Sequence, residues 1–157
     1  MKPFVLLATR ADDTIADEEY RAVARFGGLE ESQLTRIRLE SGQWPALDLD
    51  EYSGIIVGGS PFNSSDPPEE KSKAQRTAET WISSLLDEVV ARDFPFLGAC
   101  YGVGTLGIHQ GAIVDHACHE DVGPVTVTLT EEGKKDPLLA GLPHEFSAYV
   151  GHKEGTR

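Results

Sequence analysis

The chain has 157 residues, 39% of them hydrophobic and 25% charged, which is one domain's length with enough apolar material for a core. Its 14 Lys and Arg against 26 Asp and Glu give a formal net charge of -12. A chain this acidic repels phosphate backbones and argues against nucleic-acid binding through a basic surface. No apolar run approaches the roughly 20 residues of a membrane span. The apolar start from Phe4 to Ala8 is too short for a signal peptide, and Arg10-Ala11-Asp12-Asp13 follows with no small-residue cleavage site. Two cysteines, Cys100 and Cys118, make no disulfide framework. Together these features predict a reduced, cytoplasmic α/β domain with no membrane or nucleic-acid partner.

In chain order, residues 3–8 form a continuous apolar run, as in a strand buried on both faces. A helix is expected over 17–26, capped by Asp17, with Tyr20, Val23, Ala24 and Phe26 on one face and Gly27-Gly28 as its stop. Residues 33–39 read as a second strand and 54–57 as a third, stopped by Gly58-Gly59. The stretch 60–73 reads either as a mobile flap or as a plain connection, and its polar loop over 60–68 leads to the clearest helix, residues 70–92. Along it Ala74, Ala78, Trp81, Ile82, Leu85, Leu86, Val89 and Val90 recur at helical spacing. Trp44-Pro45 is expected to pack a loop against the sheet. Residues 94–99 are a strand entering a sharp turn at Cys100, and 101–110 a Gly-rich helix. Residues 122–130 alternate as a half-exposed antiparallel strand, and 146–150 form another. Strands alternating with helices predict a doubly wound, mostly parallel sheet with antiparallel strands near the C-terminus.

The sharpest motif is Gly98-Ala99-Cys100-Tyr101-Gly102, a G-x-C-x-G sequence between strand and helix. It has the form of a nucleophile elbow. Small residues two before and two after let strand and helix pack closely, and the cysteine projects above the carboxyl edge of the sheet. The helix N-terminus beneath it favours negative charge at the sulfur, and the Tyr101 N–H points where an oxyanion would form. The plainer reading is a buried cysteine in a tight turn. A second motif, Val57-Gly58-Gly59-Ser60, ends a strand in Gly-Gly. A free N–H near Gly59 would complete an oxyanion hole, although Gly-Gly after a strand also serves as a simple turn.

These two motifs, with Val150-Gly151-His152-Lys153-Glu154, resemble the class I glutamine amidotransferase family, of the type of the GMP synthase amidotransferase. The resemblance implies a flavodoxin-like sheet and a cysteine thiolate that attacks the side-chain amide of glutamine. Ammonia leaves, and a γ-glutamyl thioester remains for water to hydrolyse. Carried over, Cys100 is the nucleophile and the N–H groups of Gly59 and Tyr101 form the oxyanion hole. Gly58, Gly102, Gly151 and His152 border the substrate. The implied partners are glutamine or a γ-glutamyl compound and a synthetase or other ammonia acceptor. No cofactor and no metal is implied.

Two departures from the family stand out. Gly104 occupies the position, four residues after the nucleophile, where the family usually has a glutamine. The chain also ends at Arg157, ahead of the family's His-Pro-Glu motif. The expectation is therefore one domain, 1–157, incomplete at its C-terminus. Of the remaining histidines, His109 lies about 14 Å along its helix from Cys100, and His144 reads as a surface residue. Asp115-His116-Ala117-Cys118-His119 lacks a standard zinc spacing. Two further readings stay open: a related cysteine hydrolase of γ-glutamyl amides, motivated by Gly104, and a non-catalytic module that forms a homodimer through an open sheet edge.

Overall fold

The computed structural model describes residues 2–42 and 44–157; Met1 and Gln43 lie outside the described residues. Four strands form the central sheet: β1 (Phe4–Ala8), β2 (Leu34–Arg38), β3 (Gly54–Val57) and β4 (Phe96–Gly98). They are parallel throughout, in the order β2-β1-β3-β4. The strand order turns back at β1, so β2 lies on one side of it and β3 and β4 on the other. Such a reversal opens a crevice at the carboxyl ends of the strands.

The apolar run of β1 is explained by two covered faces. Val5 and Leu7 face a core shared with Ile55, Val57, Ile82, Leu86 and Val89. Leu6 and Ala8 face the opposite side, against Tyr20, Val23 and Ala24. Those three belong to α1 (Asp13–Gly27), and Ile82, Leu86 and Val89 to α2 (Lys73–Ala91). The two helices therefore lie on opposite faces of the sheet, as the doubly wound pattern predicts. A third helix, α3 (Tyr101–His109), packs against α2, β3 and β4. Trp44 packs on the α2 side. Its ring lies 5.4 Å from that of Trp81, and its indole N–H donates to the carbonyls of Arg38 and Leu39.

Boundaries shift for physical reasons. The cap of α1 is Asp12, whose side chain accepts from Ile15 N–H at 3.1 Å. Asp17 is instead an interior residue of the helix, paired with Arg36 at 2.9 Å. Phe26 is 83% exposed and leaves the buried face, with Arg25 over its ring. Gly28 ends the helix in the left-handed conformation, φ 63°. For α2 the cap is Ser72, and Val90 turns outward.

After α3 the chain leaves the sheet. Strands β5 (Val114–Asp115) and β8 (Gly155–Thr156) form a short antiparallel pair that the sequence pattern does not predict. Strands β6 (Glu120–Thr128) and β7 (Glu145–His152) form a long antiparallel hairpin, with an irregularity between Glu120 and Gly123. Among the described residues no helix is long and apolar enough to cross a membrane.

Candidate active site

The turn at Cys100 is built by close backbone contact. Ala99 N–H donates to Val57 O at 2.9 Å, which extends the pairing of β4 with β3 up to the turn. Cys100 then takes φ 55°, ψ -103°, a conformation that L-residues avoid. α3 starts at the next residue. A Cβ on Gly98 would lie 2.6 Å from the carbonyl carbon and oxygen of Gly102. One on Gly102 would lie 2.8 Å from Val57 Cβ. Both glycines of the motif are thus required by space. The thiol of Cys100 is exposed. Tyr101, the first residue of α3, keeps an N–H that the helix leaves unpaired.

Cys100 opens onto two clefts. One, of about 270 Å³, is walled by Arg10, Phe62, Asn63, Tyr101, Lys153 and Glu154. The other, of about 570 Å³, is bordered by Val103, Cys118, Tyr149 and Thr156. Gly151, His152 and Glu154 border both. The structure therefore brings Cys100, Tyr101, Gly151 and His152 to one place. Gly58 and Gly59 close β3 next to Arg10 and Glu19.

The Gly59 N–H is not free. It donates to Glu19 Oε1 at 3.0 Å, while Gly59 O accepts from Thr9 Oγ1 at 3.1 Å. The Glu19 carboxylate lies 3.8 Å from Arg10 Nε. A Cβ on Gly58 would meet Glu19 Oε1 at 2.8 Å, and one on Gly59 would meet Arg10 Nη2 at 2.6 Å. The Gly-Gly pair thus admits these two side chains, and the second oxyanion donor read from the sequence carries an internal acceptor. Burial raises the pKa of Glu19, against the pull of Arg10 and the Gly59 N–H.

Behind Tyr101 the 60–68 loop is fastened rather than loose. Lys71 Nζ bridges Glu79 at 2.8 Å and Ser64 O at 3.0 Å. Gln75 Nε2 donates to Asn63 O at 2.9 Å. Tyr101 is buried, with its hydroxyl 3.5 Å from Glu79 Oε1. Burial first, then Glu79, push its pKa far up, so the phenol keeps its proton.

The family model for class I glutamine amidotransferases matches residues 23–156. The chain belongs to the class I glutamine amidotransferase family. It is similar to the GMP synthase (glutamine-hydrolyzing) of Exiguobacterium sibiricum, 28% identical over 148 residues that cover 88% of this chain and 26% of that protein. It is also 28% identical, over 106 residues, to one subunit of the GMP synthase (glutamine-hydrolyzing) of Thermoplasma volcanium, covering 68% of this chain and 46% of that one. A solved glutamine amidotransferase from Thermotoga maritima shares the fold, with a TM-score of 0.74 over 100% of this chain and 63% of its own, at 17% identity. The chain spans less than half the length of these two curated relatives, 26% and 46%.

Within this class I amidotransferase frame, four of the five histidines are engaged elsewhere. His152 Nδ1 donates to Glu154 O at 3.0 Å, and its Nε2 lies 2.8 Å from Glu120 Oε2. Both ring nitrogens are thus engaged with partners other than Cys100. His109 bonds Asp87, His116 bonds Lys153 O and His119 bonds Asp121. Asp115 is held by Arg157 at 2.6 Å. Among the described residues, no group of three or more His, Cys, Asp or Glu gathers as a metal would require. Arg10 and Glu19 carry no motif that marks them in the sequence, and Glu154, although it ends the Val150-Gly151-His152-Lys153-Glu154 stretch, is given no role there. For Glu154 a signal existed: a glycine where the family carries a long side chain implies that another side chain fills the space.

Proposed function

We propose that this chain is a glutamine-hydrolysing amidotransferase domain, 1–157, in which Cys100 is the nucleophile. The observation that carries this is the strained backbone of Cys100 between two glycines that have no room for a Cβ. Strain of this kind persists only where the surroundings enforce it, and here they present an exposed sulfur to two clefts. In the first step the Cys100 thiolate adds to the side-chain amide carbon of glutamine, and the oxygen takes the negative charge. The Tyr101 N–H faces that oxygen; the Gly59 N–H joins it once Glu19 withdraws. The carbon–nitrogen bond then breaks, ammonia leaves with a proton, and a γ-glutamyl thioester remains. Water cleaves the thioester to glutamate and restores the thiol. Arg10 and Lys153, on the wall of the smaller cleft, suit the α-carboxylate of glutamine.

Acyl transfer needs a base for the water and a proton for the ammonia. His152, which borders both clefts at Cys100, holds other partners, so this reading gives that pair to none of the described histidines as they stand. The names of the relatives point to a synthetase partner as consumer of the ammonia. The test is acid-quenched incubation with glutamine followed by mass mapping. A γ-glutamyl adduct on the Cys100 peptide, lost in Cys100→Ser, is the expected result. Glutamate release that survives Cys100→Ala overturns the reading.

A second reading, a binding module without turnover, is favoured by one observation: the Glu19 carboxylate on the Gly59 N–H. It differs in outcome, because a binding module protects Cys100 from alkylation by glutamine and forms no adduct.

A further inference from the structure

Gly104 leaves a space in the first turns of α3, and that space is filled from across the site. A Cβ at 104 would lie 2.8 Å from Ser64 Oγ and 3.0 Å from Glu154 Oε1. Glu154, just beyond β7, sends its carboxylate into this gap. Oε1 accepts from Ser64 N–H at 2.8 Å and Oε2 from Ser65 N–H at 2.9 Å. Each carboxylate oxygen thus takes one of two successive backbone donors, in short charge-assisted bonds. Ser64 is only 5% exposed. With little access to water, its N–H depends on Glu154 for a partner, and an unpaired buried donor is costly.

The same residue reaches the rest of the site through its backbone. Glu154 O accepts from His152 Nδ1 at 3.0 Å, and Glu154 borders both clefts at Cys100. One residue therefore joins His152 to the loop whose Phe62 and Asn63 form the cleft wall.

We infer that Glu154, admitted by Gly104, is a positioning residue of this site: its carboxylate fixes the 60–68 loop as the wall of the Cys100 cleft. It enters from the β7 side and takes the place that a long side chain at position 104 would occupy from α3. The chemistry of the substrate rests on the amidotransferase reading above; the tether itself does not.

The test is a swap on the full chain: Glu154→Ala, Glu154→Gln, Gly104→Gln, and Gly104→Gln with Glu154→Ala. Two readouts are taken. Hydrogen exchange at Ser64 and Ser65 is expected to speed by at least about tenfold in Glu154→Ala and by less in Glu154→Gln, which keeps one acceptor oxygen. Labelling of Cys100 by 6-diazo-5-oxo-L-norleucine is expected to slow by about tenfold through weaker binding, with the maximal rate held and iodoacetamide labelling unchanged. The double variant, whose glutamine carbonyl reaches the vacated donors from α3, is expected to recover exchange protection to within about threefold.

Unchanged exchange in Glu154→Ala overturns the inference, as does a double variant no better protected than Glu154→Ala. Should Gly104→Gln alone not fold, the Glu154 variants still decide. If the native chain takes iodoacetamide but no label from the diazo compound, the amidotransferase reading fails, and exchange still reports on the tether.

Discussion

At Cys100 the cost of the site lies in the residue's own dihedral angles, φ 55° and ψ -103°. Such a conformation costs a non-glycine residue about 1–3 kcal/mol. Cys100→Gly is expected to be more stable than Cys100→Ala by at least about 1 kcal/mol in urea unfolding. Equal midpoints would argue against stored strain. Glu19 carries a second test. Its pKa is raised by burial, so the folded state prefers the protonated carboxyl. That preference contributes stability fully below the ordinary value of 4.5, and it is lost as pH rises through the raised value. Glu19→Gln keeps an acceptor for the Gly59 N–H and removes the charge. Its stability relative to the native chain is expected to rise from about pH 4 to about pH 7; a flat or falling difference contradicts the burial argument. The strained turn at Cys100 was legible at this scale because an elbow needs small residues at fixed offsets from the cysteine. Glu19 was not, because nothing in the spacing of Glu19 and Gly59 tells which way the Gly59 N–H turns.

At the level of elements, the strand–turn–helix unit of β4 and α3 holds together by backbone contact. Gly98→Ala and Gly102→Ala are each expected to destabilise by at least about 2 kcal/mol, since a Cβ would press on backbone or on Val57. Gly123→Ala, where a Cβ meets nothing within 4 Å, serves as the control, with a change within about 0.5 kcal/mol. Similar losses at all three positions would contradict the packing account. The parallel strands were readable because burial on both faces makes continuous apolar runs, and β3 matches its expected limits, Gly54–Val57. The start of α1 was missed because Ile15 in its first turn is 48% exposed, so the apolar face gives no signal before Ala16. The β5–β8 pair escaped because two-residue strands far apart in sequence have no periodicity to read.

The molecule as a whole divides into a sheet covered on both faces and a hairpin that joins neither face. Along β6 and β7, Val125, Val127, Phe146, Ala148 and Val150 share one half-buried face, while Tyr149 on the other is 84% exposed. Two strands alone are marginal in water. Amide exchange at Val125 and Val127 is therefore expected to outpace that at Val5 and Leu7 by at least about a hundredfold; equal protection would mean that the hairpin is supported as firmly as the sheet. The hairpin and the residues just beyond it also deliver Gly151, His152 and Glu154 to Cys100, so the element expected to exchange faster than the sheet supplies one wall of the site. In the function proposed above, these parts form a glutamine site around one reactive sulfur. Peptide mapping of the intact chain after treatment with an electrophilic glutamine analogue tests it most directly. A single adduct, on Cys100 and suppressed by excess glutamine, is the expected result. An adduct on Cys118 or elsewhere, or labelling of Cys100 that glutamine does not suppress, would contradict it.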